Sequence, residues 1–216
     1  MTYEQLKKDP ALQVYITKAD QSLKALGFTE HSFAHGGKVS ETAAYILESL
    51  GFSAHDVELA RIAGYLHDIG NLVNRSDHSQ SGAVMAFTIL QGSDMPPEDI
   101  ATVVTAIGNH DEGTGVPVNP IAAALILADK SDVRRSRVRN TDISTFDIHD
   151  RVNYSVEGAE LALEGQEIRL ILTVDTAFGS VMDYFEIFMA RMILCRKAAE
   201  SLNLKFRLQI NGQLLL

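Results

Sequence analysis

Gly64-Tyr65-Leu66-His67-Asp68-Ile69-Gly70-Asn71 is the stretch on which the reading of this chain turns. An apolar run of helical character arrives at a histidine and an aspartate, and a glycine then stops the helix. Adjacent His and Asp at a helix end offer an imidazole nitrogen and a carboxylate oxygen to one cation. That donor pair suits borderline divalent metals such as zinc, manganese or iron. Alone, the dipeptide would be a solvated pair or a helix-end contact. It gains weight from His35, His78, His110 and Asp129, each set against an apolar or glycine-rich segment.

Working outward, Val57 and Ala60 carry the same helix back to Ser53, whose hydroxyl suits an N-cap. Before it, Val39, Ala43, Ile46, Leu47 and Leu50 recur at three- and four-residue steps, an amphipathic helix ending at Gly51. Phe28 to Gly37 is expected to be a loop carrying His31 and His35, and residues 10–27 another helix. Downstream, residues 79–92 and 98–109 read as two helices, the second ending at Asn109-His110. After the glycine-rich Gly113-Thr114-Gly115, the nearly continuous apolar run Ile121 to Asp129 delivers Asp129 and Lys130 at a helix end.

Beyond about residue 145 the period changes. Val152, Tyr154 and Val156, then Ile168, Leu170, Leu172 and Val174, alternate as strands do. Phe178, Val181, Met182, Phe185, Met189, Met192 and Ile193 return to helical spacing, with Met182, Met189 and Met192 expected in the core. Leu204, Phe206, Leu208 and Ile210 alternate again, and Asn211-Gly212 is a two-residue hairpin signal. The expected fold is mainly α: a helical metal-binding domain over residues 1–145 and a small α+β subdomain over 146–216, three or four strands on one long helix.

The chain is 46% hydrophobic, so a sizeable core can be buried, and its formal net charge of −9 argues against nucleic-acid or anionic-membrane partners. No run approaches the roughly 18 apolar residues of a membrane span, and the N-terminus lacks the apolar core of a signal peptide. The single Cys195 falls in an apolar helical pattern, as a buried thiol would. A disulfide-free chain without a signal is expected to be cytoplasmic.

The order His35, His67-Asp68, His78, His110, Asp129 resembles the HD-domain metal-dependent phosphohydrolases, over roughly residues 30–135. His35 fits the first place better than His31, because Val39 follows at the family's His-x-x-x-Val step. Ala128-Asp129-Lys130-Ser131-Asp132 fits the closing motif, and Asn109-His110-Asp111-Glu112-Gly113-Thr114-Gly115-Val116-Pro117 resembles the two-metal branch, which includes the HD-GYP cyclic-dinucleotide phosphodiesterases. Three departures limit the likeness. Asn71 stands where a lysine often follows, Asn109 replaces the first histidine of His-His-Glu, and no tyrosine precedes Pro117. A cyclic-dinucleotide substrate is therefore not carried over.

The resemblance implies one or two divalent ions per chain (Fe, Mn, Zn or Mg), one held by His35, His67, Asp68 and Asp129 and a second by His78 and His110. Asp68 is the natural bridge between two cations about 3.5–4 Å apart. The implied activity is hydrolysis of a phosphate ester or anhydride, of a nucleotide or related small molecule, by metal-activated water, with Asp68 and Asp129 as proton acceptors. Should the last helix continue, Lys130, Arg134 and Arg137 form one stripe that could clamp phosphate. The competing expectation, at even weight, is that these cations pair with acidic residues of the tail. His31 is expected to support His35, His55 to cap or face solvent, and His149-Asp150, with no apolar helix before it, to be structural. The alternative from another class is a metal-retaining regulatory or ligand-sensing module with little turnover, the tail then serving for output or dimerisation; homo-oligomerisation stays open. A di-iron oxygenase of the same scaffold has the least support.

Overall fold

The computed structural model describes all of residues 1–216. Thr2 closes a capping box with Gln5 and starts α1 (Tyr3–Lys8). Asp9 caps the next helix, α2 (Pro10–Ala25), with a proline at its first position. The helical part continues as α3 (Phe33–Ser49), α4 (Ala54–Leu66), a 3-10 turn over Ile69–Leu72, α5 (His78–Gln91), α6 (Pro97–Gly108) and α7 (Pro120–Ser131). Ser53 caps α4 as expected, accepting from the Asp56 amide. The apolar run Ile121–Ala128 is buried on every side, so α7 is the central helix, packed by α3, α4 and α6. α3 and α4 cross closely at Gly64, where a Cβ would stand 2.7 Å from Ser40 Cα.

The tail adds α8 (Ile148–Ser155), β1 (Val156–Glu164), β2 (Glu167–Val174), α9 (Val181–Ser201), β3 (Lys205–Ile210) and β4 (Gln213–Leu214). The four strands lie in sequence order, antiparallel except for β2 against β3. That parallel pair needs a crossover, and α9 supplies it. Ile168, Leu170 and Leu172 of β2 sit beside Phe206, Leu208 and Ile210 of β3. Asn211-Gly212 makes the expected turn, both residues at positive φ (49° and 81°). α9 also packs on α7, and one hydrophobic cluster contains both Leu125 and Leu208, so the two parts share a core. Cys195 is buried there, and burial pushes its thiol up to about 12. No helix is long and apolar enough to cross a membrane.

Three local expectations fail. The stretch up to Gly37 is not all loop: α3 begins at Phe33 and holds His35 in its first turn. Burial of the Val39 face and the His35–Asp132 contact outweigh the low helix propensity of Gly36 and Gly37. Val152 and Tyr154 lie in α8, not a strand; Asp147 caps that short helix, and Tyr154 packs edge-on against Phe146 and Phe178. Of the three methionines only Met192 is core, while Met182 and Met189 are 75% and 48% exposed. α9 buries the single stripe Tyr184, Phe188, Met192, Cys195 and Ala199, and those two face away from it.

Candidate metal centre

Helix ends bring the chemistry together. His35 stands in the first turn of α3, and His67 caps the C-terminus of α4 with Asp68 following. His78 opens α5, His110 lies just past the end of α6, and Asp129 occupies the last turn of α7. All four histidines are buried, at most 3% exposed, and both carboxylates are largely so. Asp129 Oδ1 lies 3.3 Å from His35 Nε2 and 3.7 Å from His67 Nε2. Asp68 Oδ2 lies 3.6 and 3.5 Å from the same two nitrogens, while its Oδ1 is 3.5 Å from His78 Nε2. His78 Nε2 is in turn 3.2 Å from His110 Nε2.

The four rings share one arrangement. Nδ1 of His67, His78 and His110 donates to the carbonyls of Gly64 (2.7 Å), Arg75 (3.1 Å) and Ile107 (2.6 Å). Nδ1 of His35 donates to the Asp132 carboxylate at 2.8 Å. Each Nδ1–H is thus fixed from behind, and each Nε2 presents its lone pair to the centre, the tautomer a metal ligand needs. His35 Nε2, His67 Nε2 and Asp68 Oδ2 are buried without a well-aligned hydrogen-bond partner, a costly condition unless a ligand satisfies them. Two imidazole lone pairs 3.2 Å apart are likewise comfortable only around a shared proton or cation. Donors of His35, His67 and Asp129, and of His67, Asp68 and His110, lie within 4.8 Å of one another. The residues present fit divalent ions.

Charge follows the same geometry. Burial opposes ionisation of Asp68 and Asp129, but His67, His31 and His35 around the first, and Lys130 and His35 beside the second, hold both pKa values well below the usual carboxylate range. Burial pushes the pKa values of His67 and His110 down, which favours the neutral ring that a metal would need. His35 goes the other way. Burial and Arg137 oppose its charge, yet the hydrogen-bonding carboxylates of Asp129 and Asp132 raise its pKa.

The basic stripe does not form. α7 ends at Ser131 and the chain turns at Asp132 (φ −81°, ψ 71°), so Lys130, Arg134 and Arg137 do not share a helix face. Lys130 is buried between Asp129 Oδ2 (2.7 Å) and Glu112 Oε2 (3.2 Å). Arg134 pairs with Asp132 and Glu30. Arg137, also buried, donates to the carbonyls of Glu30 and Asp132. These cations do pair with acids, but with Glu30, Glu112 and Asp132 rather than with the tail. His31 packs edge-on against His35 at 5.5 Å, and its Nδ1 is tied to the Thr29 carbonyl. His55 is exposed and contacts Asp99; His149 lies on α8, outside the four-histidine cluster, and lines one cavity together with His31.

Sequence reading missed three contributors. Asp132, fully buried, receives His35 Nδ1, Lys38 and Arg134; burial opposes its charge, but His35, Arg137 and Arg134 hold its pKa well below the usual range. Glu112 joins Lys130 to Arg191 of α9 (Oε1 to Nε, 2.5 Å). Arg75 approaches Asp68 Oδ1 at 3.8 Å. Only Asp132 left a trace in the sequence, three positions after Asp129 in the closing motif.

The model of the HD domain matches residues 32–147, more than half of the chain. The uncharacterized protein MJ1020 of Methanocaldococcus jannaschii is 25% identical over 211 residues, covering 85% of this chain and 80% of its own. Ribonuclease Y of Listeria welshimeri is 29% identical over 148 residues, 66% of this chain but only 27% of that enzyme. A crystal structure of a predicted HD superfamily hydrolase from an uncultured Thermotogales bacterium aligns with a TM-score of 0.45 at 25% identity, covering 61% of this chain and 73% of that one. With the HD model spanning the segment that supplies all six donors, the chain belongs to the HD-domain superfamily of metal-dependent phosphohydrolases.

Proposed function

We propose that this chain hydrolyses a phosphate ester or anhydride of a nucleotide or related small molecule, using two divalent ions. The observation that carries the reading is the common tautomer of the four histidines, which turns every Nε2 toward Asp68 and Asp129. His35, His67 and Asp129 would hold one ion and His78 and His110 the other, with Asp68 serving both through Oδ2 and Oδ1. Bound there, a divalent pair supplies Lewis acidity that lowers the pKa of water and neutralises phosphate oxygens. The chain's own groups do the rest. Asn71 donates to Asp68 Oδ1 at 2.8 Å and fixes that carboxylate. Lys130 occupies Asp129 Oδ2, so that Oδ1, the oxygen facing His35 and His67, is the one turned toward the ion these residues would hold.

Ribonuclease Y is by name an enzyme of RNA, and kinship with it supports chemistry at a phosphodiester. The net charge of −9 favours a small phosphorylated substrate over a nucleic acid or a membrane, and the absence of disulfides suits a cytoplasmic setting. The test is turnover of bis(p-nitrophenyl) phosphate, p-nitrophenyl phosphate and a nucleotide panel by Mn-loaded chain, beside Asp68→Ala. Turnover that vanishes in Asp68→Ala is expected, and the preferred ester separates diesterase from monoesterase. A metal-loaded native chain inert on every member would overturn the hydrolytic reading in favour of a ligand-sensing module.

A further inference from the structure

Beside the metal centre lies a cavity of about 350 Å³, a size that suits a small ligand. His31 is the wall between them: it lines this cavity and also the water-sized space against His35 and Asp68. Three guanidiniums from distant parts of the chain face into it, Arg75 before α5, Arg137 after α7 and Arg191 on α9. Each is anchored from behind. Arg75 Nη1 reaches Asn71 Oδ1 at 3.4 Å; Arg137 donates from Nε to the Glu30 carbonyl (2.9 Å) and from Nη1 to that of Asp132 (2.7 Å); Arg191 Nε is held by Glu112. In all three, Nη2 has no protein partner. Arg191 also stands over the Phe188 ring, its Cζ 4.2 Å from the centroid, a cation–π contact that helps hold it.

Asp147 and Asp150 line the same cavity, but the acids nearest Arg75 and Arg191 engage Nη1 and Nε and leave each Nη2 without a protein partner. An arginine edge held in place with donors unspent matches phosphate oxygens. The facing wall differs: Asp147 and Asp150 of α8 accept hydrogen bonds and would repel further phosphate. The cavity thus fits one phosphoryl group joined to a hydroxyl-bearing part such as a ribose, and does not fit a polyanionic strand. Phe28, 40% exposed, also lines the cavity and offers an apolar surface for a base, with the Arg75 guanidinium 5.8 Å from its ring centroid. Arg75 stands 3.8 Å from Asp68 Oδ1, so a phosphoryl group on it is an immediate neighbour of one at the metal centre.

Resting on the hydrolytic reading above, we infer that the substrate is a nucleotide with two adjacent phosphoryl groups, one at the metal centre and the other on Arg75, Arg137 and Arg191. The tail subdomain then completes the substrate site through Arg191. Titration calorimetry of the Mn-loaded full chain tests this with two probes, AMP and the non-hydrolysable α,β-methylene-ADP. The diphosphate should bind roughly tenfold more tightly than AMP, an advantage of the size expected for one charge-assisted hydrogen bond. Arg75→Gln and Arg191→Gln should each remove most of that difference. Arg191→Gln also breaks the Glu112 pair, so Arg75→Gln, whose protein contacts are long, decides the matter if the former does not fold. Equal affinity for the two probes in the native chain, or an unchanged advantage in Arg75→Gln, overturns the inference. Calorimetry reads binding without turnover, so tight diphosphate binding by a chain inert on every ester would strike the hydrolytic reading alone. Turnover without discrimination between the probes would strike this inference alone.

Discussion

Gly70→Ala is the substitution whose consequence can be worked most directly from the structure. Gly70 lies in the 3-10 turn after the His67-Asp68 pair, where α5 crosses it. A Cβ there would stand 2.0 Å from the His78 carbonyl oxygen and 2.4 Å from the Gly82 amide nitrogen, against 3.4 Å or more for ordinary contact. Both obstacles are backbone of α5, so no rotamer change relieves them. The turn and the start of α5 must part by more than 1 Å, which carries His78 away from Asp68. Overpacking of this kind costs about 1–3 kcal/mol, and a backbone-on-backbone clash belongs at the top of that range. For a chain of this length about 3 kcal/mol lowers Tm by roughly 6–12 °C. Displacing a ligand by about 1 Å should also cut turnover on the order of a hundredfold. Differential scanning calorimetry with metal analysis of the purified variant reads both effects. A Gly70→Ala chain with native Tm and native metal content would refute the packing argument, and with it the reason for a glycine at this place.

Two further outcomes follow from the charges. Asp132→Asn keeps the shape but removes the carboxylate that fixes the His35 tautomer and balances Lys38 and Arg134; metal affinity should fall roughly 10–100-fold, read by competition with a chelating dye, and unchanged affinity would reduce Asp132 to packing. The raised pKa of His35 sets the pH dependence. In metal-free chain its contribution to stability is fully present below about 6.5, the ordinary histidine value, and fades as pH rises through the higher folded value, while the depressed Asp68, Asp129 and Asp132 lose theirs as pH falls below the ordinary carboxylate range. A metal competes with that His35 proton, so the Tm gap between metal-loaded and metal-free chain should widen from roughly pH 5 to 9, and a constant gap would show that His35 is not a ligand.

How far the site could be read from sequence depended on where each residue's partners lie. His67-Asp68, His110 and Asp129 were legible because their helices announce their own ends, through Gly70, the Asn109-His110 stop and the apolar run into Asp129. His35 was singled out as a donor although its surroundings were misjudged, since the contact that helps make Phe33–Gly37 helical comes from Asp132, 97 positions away. The arginines failed for a related reason. Extending α7 by pattern gives a continuous basic face, but Asp132 collects His35, Lys38 and Arg134 at once, and the chain bends to bring them together. Nothing local marks that turn. Arg191 was beyond reach altogether, because its partner Glu112 lies 79 positions earlier in another element. The tail's strands and hairpin were visible through alternation and Asn211-Gly212, whereas three alternating residues were too few to tell α8 from a strand.

The six donors come from the ends of α3, α4, α5, α6 and α7, and that arrangement governs more than coordination. Cations held by them would cross-link five segments spread over 94 positions, and the complete centre forms only once all five have docked. Their binding energy therefore counts toward folding: free metal at 100 times its Kd adds about 2.7 kcal/mol. Metal starvation leaves this chain with facing imidazoles and an uncompensated carboxylate at the junction of its helices. The result is a looser protein, not merely an idle one, whose helix ends open first to proteases.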